Sequence, residues 1–156
     1  MEPTLHLTCG LPGSGKTTLA RRLAEERDAH RFTKDEWVLA LGGDLYDDDL
    51  RDRVEARLIE LAFELLAAGR SCILDFGLWS REERDALRLR ARADGVRVEL
   101  HVLDVEPDEL MWRIDTRYAD APHTTAAINA EQLAVWASAF EKPDECERAL
   151  FDPAPS

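Results

Sequence analysis

The chain has 156 residues, 45% hydrophobic and 33% charged, a balance that suits one folded domain spanning 1–156 and argues against a disordered segment. Its 32 acidic residues outweigh 20 basic ones, for a net charge of -12. That field opposes nucleic acid, whose affinity rests on basic excess. No apolar stretch is long enough to cross a bilayer, and no basic segment precedes an apolar run at Met1-Glu2-Pro3, so no membrane span or leader is expected and the expected location is cytoplasmic.

In chain order, Thr4 to Cys9 reads as a first strand, and Thr17 to Arg27 has helical spacing with Leu19, Ala20, Leu23 and Ala24 on one face. His30 to Thr33 is a short second strand. Asp47, Asp48 and Asp49 then precede the longest helix, Leu50 to Ala68, whose stripe of Leu50, Val54, Leu58, Leu61 and Leu65 ends before Gly69. The acidic triplet fits a helix start with favourable dipole charge, or a grip on a cationic acceptor.

Ser71 to Asp75 is a buried strand. Ser80 and Glu83 form a capping box for a helix to Asp94, stopped by Gly95. Val96 to Val105 is the fourth strand, and Pro107 with Asp108 and Glu109 suits the first turn of another helix. Residues 119–128, which include Pro122, read as a mobile lid. Asn129 and Gln132 cap a further helix carrying Leu133, Trp136 and Phe140, and Arg148 to Phe151 is a weak strand candidate. The three cysteines are odd in number and widely spaced, and neither CxxC nor HExxH is present, so no disulfide framework or structural zinc site is expected. Cys9 and Cys72, in strand-like runs, fit small core residues. His30 and His101 fit half-buried or edge positions, and His123 lies in the lid.

Strands alternating with helices predict an α/β fold: a parallel sheet of four to five strands in three layers, with helices on both faces. Ligands bind beyond the carboxyl ends of such strands, here just after Cys9, Thr33, Asp75 and Val105. Gly10-Leu11-Pro12-Gly13-Ser14-Gly15-Lys16-Thr17 matches G-x-x-x-x-G-K-[ST] between the first strand and the first helix. Its glycines let backbone N–H groups and a helix N-terminus face phosphates. Lys16 bridges the β- and γ-phosphates in such loops, and the Thr17 hydroxyl ligates Mg²⁺. Gly10, Leu11, Pro12, Gly13, Ser14, Gly15, Lys16, Thr17 and Thr18 are therefore the candidate nucleotide-binding residues. No NKxD guanine reader is present, which leaves ATP as the expected nucleotide.

Asp35 follows the second strand by two residues, where a carboxylate could take the proton of a hydroxyl acceptor, or cap a helix beginning at Glu36. Asp75 ends the third strand, where it could hold Mg²⁺, grip the acceptor, or serve only as a turn residue. Asp75-Phe76-Gly77 spells the protein-kinase DFG, but there is no HRD segment and the phosphate loop is of another type. Arg113 and Arg117 share one helix face, and either neutralise a transferring phosphoryl group or pair with Asp115 and Asp120. Arg84, with Arg81 and Arg88, fits contacts to an anionic acceptor or a solvated face. Phe76, Trp37 and Trp79 could stack on an aromatic acceptor or pack in the core.

The segment GLPGSGKTTLA, Thr33-Lys34-Asp35-Glu36, Ile73-Leu74-Asp75, the pair Arg113 and Arg117, and the tail Phe140-Glu141-Lys142-Pro143-Asp144-Glu145 resemble the P-loop kinase superfamily. The likeness is to its subgroup of zeta toxins, chloramphenicol phosphotransferase and polynucleotide 5′-kinase domains, often grouped as AAA-type ATP-binding domains. Tyr118 departs from the Asn often found there. The resemblance implies a P-loop NTPase fold and an ATP- and Mg²⁺-dependent kinase acting on a hydroxyl of a small molecule, nucleoside-like or antibiotic. It also implies Asp35 as base and a lid arginine on the moving charge. A polynucleotide 5′-hydroxyl kinase and a nucleotide-binding regulatory ATPase module without an acceptor are the alternatives.

Overall fold

The computed structural model describes residues 2–122 and 128–155. Four strands, β1 (Thr4–Cys9), β2 (His30–Thr33), β3 (Cys72–Gly77) and β4 (Arg97–Val102), form one parallel sheet in the order β2-β3-β1-β4. The helices are α1 (Lys16–Glu26), α2 (Lys34–Ala40), α3 (Asp48–Ala67), α4 (Arg81–Ala93), α5 (Pro107–Asp120), α6 (Ala130–Ala139) and α7 (Glu145–Arg148).

Alternation along the strands builds three layers. Leu5 and Leu7 of β1, Cys72 and Leu74 of β3 and Val98 of β4 point to one face, where α3 adds Val54, Leu58, Ala62 and Phe63 and α4 adds Leu87 and Ala91. On the other face Ile73 packs on Ala20 and Leu23 of α1. A separate small cluster joins Leu11 of the first loop to Leu110 and Ile114 of α5 and Leu133 of α6. It seats α5 directly on the glycine-rich turn.

The expected alternation and helix starts stand, with local differences. Ser80 accepts from the Glu83 N–H at 3.1 Å, and Asn129 forms a reciprocal capping box with Gln132. Asp47 caps α3 by accepting from Leu50 N–H, with Asp48 and Asp49 in its first turn. The third strand runs on through Gly77, so Asp75 lies inside it. The fourth stops at Val102, before Pro107 opens α5. Residues 148–151 are not a strand: α7 begins at the Asp144 cap and ends in a turn that buries Phe151. Of the lid expected at 119–128, Asp120 still belongs to α5; residues 123–127, His123 among them, lie outside the described residues.

Candidate active site

Beyond Cys9 the chain turns sharply through Gly10 to Gly15 and enters α1 at Lys16. Gly13 and Gly15 sit at φ 82° and 95°, a region costly for residues with a Cβ. A Cβ on Gly13 would also stand 2.9 Å from Ile114 Cγ1. The turn is pinned to β3 and the segment after it: Gly10 N–H donates to the Gly77 carbonyl at 3.0 Å, and Trp79 Nε1–H donates to the Gly10 carbonyl at 3.1 Å. Lys16 Nζ donates to the Leu11 carbonyl at 2.9 Å. Burial pushes the Lys16 ammonium down to about 8, against the opposing pull of Asp75 and then Asp35.

Asp75, 5% exposed, is the hub. Its Oδ1 accepts from Thr8 Oγ1 at 2.9 Å, and its Oδ2 accepts from Thr17 Oγ1 at 2.8 Å and Thr33 Oγ1 at 2.9 Å. Hydroxyls from β1, α1 and β2 thus fix a carboxylate from β3. A carboxylate beside a threonine hydroxyl is a hard oxygen donor set of the kind Mg²⁺ takes, so Thr17 and Asp75 fit that ion. The turn-residue reading of Asp75 does not fit its burial within a strand.

Asp35 is not a helix cap. The cap of α2 is Thr33, and Asp35 stands in the first turn. Its half-exposed carboxylate pairs with Arg51 of α3. Both line an open cleft of about 730 Å³, together with Gly13, Lys16, Thr17 and Asp75. Arg21, Lys34 and Glu36 lie on its walls, as do Phe76, Trp79 and Arg117. A neighbouring cleft of about 480 Å³ is lined by Gly15, Thr18, Leu103, Arg113 and Arg117. Arg113 donates to Glu109 at 2.9 Å and to the Gly13 carbonyl at 3.4 Å, while Arg117, one turn on, borders both clefts.

Arg84 is elsewhere, and both expectations for it need correction. It is 0% exposed. Nε and Nη2 donate to the two Glu147 oxygens at 2.6 and 3.0 Å, Nη1 to the Leu78 carbonyl at 2.8 Å and Nη2 to the Glu141 carbonyl at 2.6 Å. Its donors are engaged within the protein, so it lies neither on a solvated face nor open to an acceptor. Arg81 and Arg88 pair with Asp85. Trp37 is part-exposed and packs near Phe32.

Four contributors were given no role in the sequence reading, although Thr33 lies in one of the resembling segments. Thr8 and Thr33 could have been read from their positions at strand carboxyl ends on the face shared with Asp75. Arg21 and Arg51 project from helices, and no local pattern links them to the cleft.

The profile of a family described as AAA domain matches residues 5–143. Among solved structures, a chain titled "Structure of the Pnkp1/Rnl/Hen1 RNA repair complex" is 22% identical with a TM-score of 0.72, over 96% of this chain and 46% of that one. This chain thus spans less than half of that one. A gluconokinase from Sinorhizobium meliloti 1021 is 22% identical with a TM-score of 0.65, over 94% of this chain and 80% of that one. The Mycobacterium tuberculosis APS kinase CysC, in complex with AMPPNP and APS, is 21% identical with a TM-score of 0.60, over 77% and 73%. These likenesses show a shared fold, that of P-loop kinases. No curated protein matches the sequence.

Proposed function

Because the chain belongs to the AAA domain family, we propose that its cleft binds ATP and transfers the γ-phosphoryl group to a hydroxyl of a small molecule. The observation that carries this reading is one open cleft holding a phosphate loop, a fixed oxygen pair for a metal, and a separate solvent-facing carboxylate. A pure nucleotide switch does not need the last of these.

In this reading the loop amides and Lys16 hold the β- and γ-phosphates, with the adenosine side toward Thr18, Leu103 and Arg113. Thr17 and Asp75 hold Mg²⁺, which neutralises phosphate charge when bound. Asp35 takes the acceptor proton as the acceptor oxygen bonds to the γ-phosphorus and the bond to the β-bridging oxygen breaks, releasing ADP. Arg117, and Arg113 through its bond to the loop, stabilise the moving charge. Positioning and electrostatics supply the rate, with no covalent enzyme intermediate.

The test is ADP formation from Mg·ATP with nucleosides, sugar acids, hydroxylated antibiotics or oligonucleotides. An acceptor should raise ADP formation, and Asp35→Asn should cut that rise by about 10²- to 10⁴-fold while ATP affinity holds. Full acceptor-dependent activity in Asp35→Asn contradicts the assigned base. ATP binding with no acceptor effect points to a nucleotide-gated module. A 5′-hydroxyl of RNA is the second reading, favoured by the likeness to a repair-complex chain and opposed by the net charge of -12.

A further inference from the structure

A second constellation lies on the α1 face of the sheet, and none of its residues lines either cleft. His6 of β1 stands in register with Glu99 of β4, and His101 follows two residues on, so all three side chains share that face. His6 Nδ1 is 3.1 Å from His101 Nε2, and each of these nitrogens is 3.8 Å from Glu99 Oε1. We infer that His6 Nδ1, His101 Nε2 and Glu99 Oε1 form a binding site for a divalent transition-metal ion, zinc in the first instance.

Three arguments carry this. The first is metric. A triangle with edges of 3.1, 3.8 and 3.8 Å has a circumradius of about 2.1 Å, the length of zinc bonds to imidazole nitrogen and carboxylate oxygen. Three donor atoms therefore surround one point at bonding distance without moving. The second is the donor set. Two imidazoles and a carboxylate suit zinc and its neighbours in the first transition row, whereas Mg²⁺ prefers oxygen. A metal takes the ring lone pairs, so the ion would replace the hydrogen bond that now joins His6 Nδ1 and His101 Nε2.

The third is the surroundings. His6 and Glu99 are buried, while the His101 side chain keeps 18% of its surface. That exposed edge of His101 is the side from which an ion would enter. Arg27 at the end of α1 donates to Glu99 Oε1 at 2.7 Å, and Arg97 donates to Oε2 at 3.2 Å. These guanidiniums orient the carboxylate as outer partners of ligands do. Their positive charge opposes a cation, but both are part-exposed and screened by water, so affinity below that of an all-thiolate site is expected. The ion would tie the edge strand β4 to β1 beneath α1. Sequence spacing does not announce the site, because its ligands come from strands more than 90 residues apart.

The test uses the full chain carrying Cys146→Ser, which removes an exposed thiol as a competing zinc ligand. Excess Mg²⁺ keeps zinc from the Thr17–Asp75 oxygens. After stripping with a chelator, Zn²⁺ is titrated calorimetrically and counted after desalting, and Co²⁺ is followed by its visible spectrum. One metal ion per chain, nitrogen-ligated in the Co²⁺ spectrum, is expected, with affinity at least about tenfold weaker in His101→Gln and unchanged in His30→Gln. No metal retained, a spectrum of oxygen ligation alone, or full affinity in His101→Gln overturns the site. If His101→Gln fails to fold, the count and the spectrum of the parent protein still decide. None of these outcomes depends on phosphotransfer.

Discussion

Lys16 shows how the fold prepares a single residue. Its Nζ donates to the Leu11 carbonyl of the loop and its ammonium is brought down to about 8 by burial, so at neutral pH it is charged but poorly solvated. Phosphate oxygens beside it favour the protonated form, so ATP binding takes up a proton once the pH passes that value. The dissociation constant of Mg·ATP is therefore expected to rise about tenfold from about pH 7 to about pH 9, measured by calorimetry. A flat profile over that window contradicts the environment assigned to Lys16. The same burial acts oppositely on folding: the unfolded lysine keeps its proton up to its ordinary 10.5, so this residue favours the folded chain increasingly as pH rises between the two values. Asp75 and Asp35 stand in contrasting environments. One is buried and held by three hydroxyls, and the other is half-exposed beside Arg51.

At the scale of elements, the C-terminal segment is fastened by Arg84. The bidentate pair with Glu147, whose helix α7 is capped by Asp144, joins α4 to α7. Two carbonyls from separate segments and the Cys9 sulfur also accept from the guanidinium. Arg84→Met leaves the Glu147 carboxylate buried without its partner, a loss of about 3–5 kcal/mol, read by urea unfolding. Glu147→Gln should cost a comparable amount, because it leaves the Arg84 guanidinium buried without a carboxylate. An Arg84→Met chain as stable as the parent contradicts the clamp. This is also where sequence reading stopped short. The first two strands, the phosphate loop and the caps at Ser80 and Asn129 follow from local pattern and appear where pattern puts them, and the acidic triplet supplies the cap of α3 at Asp47. Arg84 sits on a polar helix among other arginines, and only the non-local arrival of Glu147 makes burying it affordable. Asp35 was ambiguous for a related reason: whether an aspartate caps a helix or stands in its first turn depends on where the preceding strand ends, and β2 ends at Thr33. Local pattern ends the third strand at Asp75, two residues early, because β3 continues to pair with β1 through Gly77.

For the molecule as a whole, the charge is unevenly spread. A chain of net charge -12 places Lys16, Arg21, Lys34, Arg51 and Arg117 around a cleft with three acidic residues, Asp35, Glu36 and Asp75. The exterior field repels polyanions while the cleft attracts a compact one, which fits a nucleotide bound at one end and a small acceptor at the other. The sheet supplies this by ending β1, β2 and β3 at one edge, so that the glycine-rich loop, Asp35, Thr17 and Asp75 meet there although far apart in the chain. The measurement that bears most directly on the account is the fate of the γ-phosphate. With γ-labelled Mg·ATP and the acceptor panel, the label is expected on an organic phosphate ester, with the signal lost in Lys16→Ala. Label found only as inorganic phosphate, at a rate no acceptor changes, would contradict the assignment of a phosphotransferase.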